Sequence, residues 1–322
     1  MHALTRIAAA FCLLSALPHT SLAATPPHTL KVGVLAFGTL NWEIAAGHEA
    51  GLDQAQNLQL ETVPLASAEA AKIALQGGSV DLIVGDWIWV AHQRTQGLDF
   101  SFAPYSISHG ALITPTGSKI QGLADLKGKR LGIVGGGLDK NWLLLRALSR
   151  KELGTDLDAS VDKVFGAPPL LNQQLQEGKL DALLTYWNYA AKLEAQGYRQ
   201  VLSGRDIVGR LGVDAEVPAL GYLFRASWAK DNPATLSGFL KMADSAKQLI
   251  CASEPAWDKL APLTQESDPK IRAALRSAYC AGRVTRFGPE EIKAAETLYG
   301  LLGPDVAAKG GLPAGVFWTP AK

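Results

Sequence analysis

The chain holds little of what catalytic and membrane-anchored proteins are usually built on. Its 3 cysteines and 6 histidines are scattered: no His-x-x-His or His-x-x-x-His pair occurs and no cysteine lies near His28, His48, His92 or His109, so no transition-metal site is expected. There is no Gly-x-Ser-x-Gly elbow for acyl transfer. Gly128-Lys129 is followed by Arg130, which excludes a Walker loop, and Gly135-Gly136-Gly137 lacks the later glycine of a dinucleotide fingerprint. Neither charge is in excess. The 31 Lys and Arg face 30 Asp and Glu without runs of either sign, which makes nucleic acid and anionic membranes poor partners. No apolar run reaches the roughly 20 residues a membrane helix needs.

What is present begins with a leader. Arg6, the apolar stretch Ile7 to Leu17, Pro18, and Ser21-Leu22-Ala23 before Ala24 read as a secretory signal peptide over residues 1–23, cut after Ala23 or Ala24. Cys12 follows Phe11, where a lipid-anchoring box wants a small residue, so it reads as part of the leader only. The mature chain is therefore expected outside the cytoplasm. At 48% hydrophobic residues it is ordinary globular material, and its length suits about two domains. Cys251 and Cys280, the cysteines left after processing, are disulfide candidates in an oxidising compartment, where closing such a loop is worth about 3 to 4 kcal/mol. Two buried free thiols are the other reading.

The most informative pattern is a repeat. Leu75-Gln76-Gly77-Gly78-Ser79-Val80-Asp81-Leu82-Ile83-Val84-Gly85-Asp86-Trp87 is echoed by Leu175-Gln176-Glu177-Gly178-Lys179-Leu180-Asp181-Ala182-Leu183-Leu184-Thr185-Tyr186-Trp187. Each copy reads as a helix, a left-handed glycine cap, an Asp at a strand entrance, a doubly covered strand and another helix. Before the first copy, Leu30 to Phe37 predicts a strand, Trp42 to Gln56 a helix, Leu58 to Leu65 a strand and Ser67 to Gln76 a capped helix. Before the second, Arg130 to Val134 predicts a strand, Leu138 to Leu153 a helix and Lys163 to Phe165 a strand. The extended segments Phe100 to Tyr105, Gly110 to Pro115 and Val217 to Arg225 carry the chain between two α/β lobes, and Ser227 onward is helical in pattern. Two crossings form a hinge, and hinged lobes close on ligands. The expected lobes are 30–112 plus 220–322, and 113–219.

In layout and wording the chain resembles the periplasmic solute-binding proteins of ABC importers, in the nitrate, sulfonate and taurine branch. The matching phrases are Trp42 to Leu60 (WEIAAGHEAGLDQAQNLQL), Leu75 to Asp86, Leu123 to Val134 (LADLKGKRLGIV) and Leu175 to Trp187. The resemblance implies a two-lobed periplasmic binding protein fold of type II, a ligand cleft between the lobes, no cofactor, and a membrane permease as partner; a monomer is expected. It also implies that the cleft is lined by Thr39 to Trp42, Gly85 to Trp87, Gly136 to Asn141 and Thr185 to Asn188, and that the ligand is a small organic or inorganic anion.

Within those stretches the candidate ligand-binding residues are Thr39, Asn41, Trp42, Asp86, Trp87, Gly136, Gly137, Asp139, Lys140, Tyr186 and Trp187, with Glu216 near the hinge. The glycine triplet is either an anion site at a helix start or a tight turn. Trp87 and Trp187, paired by the repeat, offer faces to an organic ligand, whereas Trp89 and Trp142 read as core. Asp86 repels an anion unless neutralised, so Asp86, Asp139 and Glu216 leave a cationic, zwitterionic or metal ligand open. Asp86 is equally a helix cap. The expected function is high-affinity capture of a small solute in the periplasm and delivery to an ABC permease. The alternatives are a periplasmic sensor or, with no nucleophile in evidence, an enzyme on the same fold.

Overall fold

The computed structural model describes residues 26–303 and 306–319, so the leader and its cleavage site lie outside the described residues. The chain opens with β1 (His28–Leu35), α1 (Leu40–Glu49), α2 (Leu52–Ala55), β2 (Leu58–Leu65), α3 (Ala68–Gln76), β3 (Ile83–Gly85), α4 (Trp87–Thr95) and β4 (Phe100–Ser106). The helix expected from Trp42 to Gln56 is broken into two at Gly51, whose φ of 67° ends α1. After a first crossing come β5 (Ala111–Thr114), β6 (Arg130–Val134), α5 (Lys140–Leu153), β7 (Asp162–Gly166), α6 (Pro168–Gln176), β8 (Ala182–Thr185), α7 (Trp187–Ala195), β9 (Arg199–Ser203) and α8 (Gly204–Arg210). A second crossing leads to β10 (Leu220–Arg225). The helices α9 (Ala226–Asp231), α10 (Pro233–Ala252), α11 (Glu254–Asp258), α12 (Ala261–Thr264), α13 (Pro269–Ala281) and α14 (Pro289–Leu301) complete the chain.

The two lobes are built to one plan. In the second, the sheet order is β7-β6-β8-β5-β9, with β6 parallel to β7 and β8 and with β5 antiparallel to β8 and β9. In the first, β1 pairs in parallel with β2 and β10 runs antiparallel between β3 and β4. A bridge from Val32 to Leu82 joins the two pieces. The repeat explains the likeness. Gly78 and Gly178, at φ 72° and 71°, turn each chain into its strand. Just beyond, Asp81 accepts the backbone N–H of Lys31 at 2.9 Å, and Asp181 accepts that of Arg130 at 2.8 Å. Each aspartate thus fixes the start of the neighbouring parallel strand, which sets register on both sides of the molecule.

The C-terminal helices pack on the first lobe, where Tyr222, Phe224, Phe239 and Met242 share a core with β1. Cys251 at the end of α10 and Cys280 near the end of α13 form a disulfide, with Cα atoms 5.7 Å apart. It ties α13 to the lobe, and α13 in turn packs on α7 of the other lobe. Among the described residues no helix is long and apolar enough to cross a membrane.

Candidate functional site

Between the lobes lies a cavity of about 110 Å³. An apolar cavity of roughly 150 Å³ holds benzene, so the space here suits only a small solute. The first lobe supplies the end of β1, the turn through Thr39, the first turns of α3 with Glu69 and Lys72, the β3 terminus with Asp86, and Tyr105 of β4. The second supplies Gly110, Asp139, Lys140 and the junction from Tyr186 to Asn188. At Gly110 a side chain is excluded by contact, since a Cβ atom would sit 2.1 Å from the Thr185 carbonyl oxygen.

The charges divide into engaged and free groups. Asp86 caps α4, its Oδ1 accepting the Trp89 backbone N–H at 2.8 Å, while Oδ2 lies 4.0 Å from the Lys72 ammonium. Cap and cavity wall are thus one residue. Asp139 caps α5 through Oδ1, which accepts from the Asn141 backbone at 2.9 Å and from its side-chain amide at 3.1 Å. Burial raises the Asp139 carboxyl above its usual range, with the charge of Lys140 opposing the rise and that of Asp86 adding to it. Burial also pushes the Tyr186 phenol well up, helped by Asp139, Glu69 and Asp86, so it keeps its proton as a donor. Lys140 is only 5% exposed, yet its ammonium makes no hydrogen bond or ion pair with another described residue. A lysine this nearly buried, lining a cavity with no ion pair, leaves its charge available to a solute group of opposite sign.

The structure brings Thr39, Asp86, Asp139, Lys140, Tyr186 and Trp187 to this cavity and keeps the other sequence candidates out of its lining. Asn41 turns back instead, its amide donating to the carbonyls of Leu35 at 2.7 Å and Gly38 at 3.0 Å, which closes the loop that carries Thr39. Trp42 is core, packed edge-on to Trp187 and Trp257. The glycine triplet is a turn, because α5 starts only at Lys140. The Gly135 N–H is spent on Gly166, and the Gly136 carbonyl accepts from Asp139. Glu216 lies outside on the hinge, paired at 2.6 Å with Arg205. The sequence reading missed Lys72, Glu69 and Tyr105. Nothing in their local pattern marks them, since α3 and β4 reach the cavity only through the sheet order. Among the described residues no three His, Cys, Asp or Glu side chains converge as metal ligands.

Trp87 is the clearest correction. Its ring is 2% exposed and packs against Tyr299 and Phe317, away from the cavity. Trp87→Ala is therefore expected to cost stability, about 3 to 5 kcal/mol, because it leaves a core void. Equilibrium urea unfolding reads the loss; a variant as stable as the parent would show that the ring is not structural.

His109 sits on the first crossing with its Nδ1 buried and unpartnered. Burial pushes the imidazole down to about 3, and the Lys140 and Arg205 charges add to this, while a hydrogen bond to the Val217 backbone on the second crossing opposes it. The unfolded chain binds this proton near pH 6.5 and the folded chain does not, so stability is complete above that pH and falls as the pH drops toward 3. Between pH 6.5 and 5 the loss is on the order of 2 kcal/mol. Denaturant midpoints across this range should flatten in His109→Gln, and an equally steep variant would assign the slope to other groups.

Two α/β lobes joined by two crossings and closed on a charged cavity define the two-lobed periplasmic binding protein fold. Solved structures agree. The alkanesulfonate-binding protein SsuA from Xanthomonas axonopodis pv. citri, bound to MOPS, superposes with a TM-score of 0.73 at 18% identity, over 92% of this chain and 99% of that one. The periplasmic aliphatic sulphonate binding protein SsuA from Escherichia coli gives 0.71 at 19% identity, over 92% and 94%. The ligand-binding component of an ABC-type import system from Staphylococcus aureus, with zinc bound, gives 0.62 at 14%, over 84% and 91%. A family model described as NMT1/THI5 like matches residues 44–255, more than half of the chain, and the chain belongs to that family. No curated protein sequence matches it significantly.

Proposed function

We propose that this protein captures a small organic solute in the cavity between its lobes, in the periplasm, and hands it to the permease of an ABC importer. The observation that carries the reading is Lys140: a nearly buried lysine whose ammonium has no hydrogen bond or ion pair among the described residues and lines the cavity that both lobes complete. A carboxylate, sulfonate or similar anionic head fits there, with the Tyr186 hydroxyl as a donor beside it. Asp86 and Glu69 of the first lobe, and Asp139 beside Lys140, favour a ligand that also carries hydrogen-bond donors or positive charge, so we assign the ligand class as a small zwitterion or donor-bearing anion. The lobes that close on it are assigned as residues 30–109 plus 220–322, and residues 110–219, the boundary expected at 112 moving back because Ala111 and Leu112 pair with β8 and β9. The sulfonate ligands named for the two SsuA proteins support an anionic head.

The test is a thermal-shift screen of the mature protein, unfolded and refolded to strip carried-over ligand, against amino acids, aminosulfonates, alkanesulfonates, nitrate, dicarboxylates and amines. A ligand at 100 times its dissociation constant adds about 2.7 kcal/mol, a shift of a few degrees for a protein of this size. Hits are expected among the aminosulfonates and amino acids. Hits confined to amines would overturn the assigned role of Lys140.

A further inference from the structure

The disulfide stands where the two lobes grip each other. Cys251 lies in the last turn of α10 and Cys280 in the last turn of α13, so the bond closes a loop that holds α11, α12 and α13. That loop carries first-lobe partners of α7. Thr264 offers the carbonyl that accepts the Lys192 ammonium at 3.0 Å, Glu266 pairs with the same ammonium at 2.8 Å, and the Tyr279 ring lies 6.2 Å from that of Trp187. Helix α13 packs more broadly on α7 of the second lobe than on α10 of its own. It belongs to one lobe by chain order and to the other by contact.

The loop is fastened to the first lobe by the packing of Trp257 and Tyr279 on Trp42 and by hydrogen bonds. Arg276 donates to the carbonyls of Ile250 at 3.1 Å and Cys251 at 3.2 Å, Tyr279 donates to Glu43 at 2.8 Å, and the Gly282 carbonyl accepts the Ile107 N–H at 2.9 Å. Each of these can be exchanged for water. The disulfide cannot, and it is the covalent tie between the far end of the loop and α10. With the bond intact, parting the lobes has to draw Trp187 out of its socket and break the Lys192 pair. With the bond cut, a second course opens, in which α13 stays on α7 and parts from α10. Added open arrangements lower the closed fraction, and affinity falls with it. Both cysteines are half-buried and line an open groove with Glu254 and Arg276, which gives a thiol a route to the bond.

We propose that the Cys251–Cys280 disulfide is a redox latch on solute capture: oxidised, it makes the loop from α11 to α13 part of the first lobe and favours closure; reduced by a dithiol, it releases the loop and weakens capture. In the exchange, one thiolate of the dithiol attacks a cysteine sulfur, and the other cysteine leaves as a thiolate and takes a proton. The second thiol of the reductant then displaces the first cysteine, so the dithiol ends as a disulfide and the protein as two thiols. The consequence for affinity rests on the cavity being the solute site; the consequence for lobe separation does not.

The test compares the oxidised mature protein, the same protein reduced with dithiothreitol, and the double variant Cys251→Ala/Cys280→Ala. Small-angle scattering without solute reads lobe separation, and calorimetry with 2-aminoethanesulfonate reads capture. Both bond-free forms are expected to stay folded, to show a larger radius of gyration and to bind about tenfold more weakly, with reoxidation of the reduced protein restoring both values. In a Trp187→Ala background, where the socket is already empty, removing the bond should add little. A bond that serves only as a brace would lower the unfolding midpoint and leave scattering and affinity of the folded protein unchanged, which overturns the proposal. An equal loss of affinity in both backgrounds overturns it too, as does a bond that dithiothreitol leaves intact in the folded protein, or one whose reduction unfolds it. If 2-aminoethanesulfonate does not bind the oxidised parent, it is the solute reading of the cavity that fails, and scattering still decides the latch.

Discussion

Lys140→Met is expected to weaken solute capture sharply and, in the same molecule, to make the solute-free protein more stable. The two effects have one origin. Lys140 is 5% exposed and its ammonium has no ion pair among the described residues, so in the empty protein its charge is only partly compensated, by the Asp139 carboxylate beside it. Methionine fills much the same space without the charge, for a gain of about 1 kcal/mol. In the loaded protein the lysine is the group that neutralises the anionic head. Removing one partner of a buried, hydrogen-bonded charge pair costs about 2 to 5 kcal/mol, which lowers affinity by roughly thirty-fold to several-thousand-fold. Calorimetry with the best ligand of the screen and urea unfolding without ligand measure the two terms separately. A variant that binds as tightly as the parent, or that loses stability, would show that Lys140 serves the fold and not the solute.

The repeat made the architecture legible and the cavity only half so. Its glycines, its strand-entrance aspartates and its bare apolar runs all act locally, and Gly78, Gly178, Asp81 and Asp181 do in the structure what their types and positions imply. The two crossings followed from extended segments standing between complete β-α-β units. The cavity depends on what each element faces across the molecule, and there local pattern fails. Trp87 and Trp187 hold equivalent places in the repeat, one residue into a helix after a buried strand. Trp87 is covered by Tyr299 and Phe317, which arrive from the far end of the chain. Trp187 meets Trp42 and Tyr279 of the opposite lobe instead. Asn41 and Gly136 failed for a related reason: a polar or flexible residue at a strand end serves its own turn as readily as a ligand, and sequence does not show which. The Asp86 alternatives were not exclusive, since a carboxylate has two oxygens and the cap takes one.

Trp187→Ala is expected to open the lobes without unfolding them. Although Trp187 belongs to the second lobe, its ring is 9% exposed and lodged in a pocket built by the first, with ring centres 6.2 Å from Trp42 and 6.2 Å from Tyr279. Tyr279 stands on α13 beside the disulfide, so this socket is held in place by the Cys251–Cys280 bond and by the Tyr279 hydrogen bond to Glu43. Polar contacts accompany the ring across the same seam. Lys192 pairs with Glu266 at 2.8 Å and donates to the Thr264 carbonyl at 3.0 Å, and Asn188 donates to the Phe37 carbonyl at 3.4 Å. Truncating a core tryptophan costs about 3 to 5 kcal/mol when the cavity it leaves must stay. Here the cost falls on the contact between two bodies already joined by a hinge, and separating them hydrates the void. The free energy is thus expected to appear in the closed-to-open ratio, where 3 kcal/mol amounts to a change on the order of a hundredfold, and affinity falls with the fraction of molecules able to close. Small-angle scattering of the solute-free variant should give a larger radius of gyration than the parent, with a thermal midpoint lowered less than in Trp87→Ala. Trp187→Phe, which keeps a ring in the socket, should lie between. If scattering and affinity both match the parent, the ring is packing alone, and closure is held by the α7 and α13 faces and the Lys192 contacts.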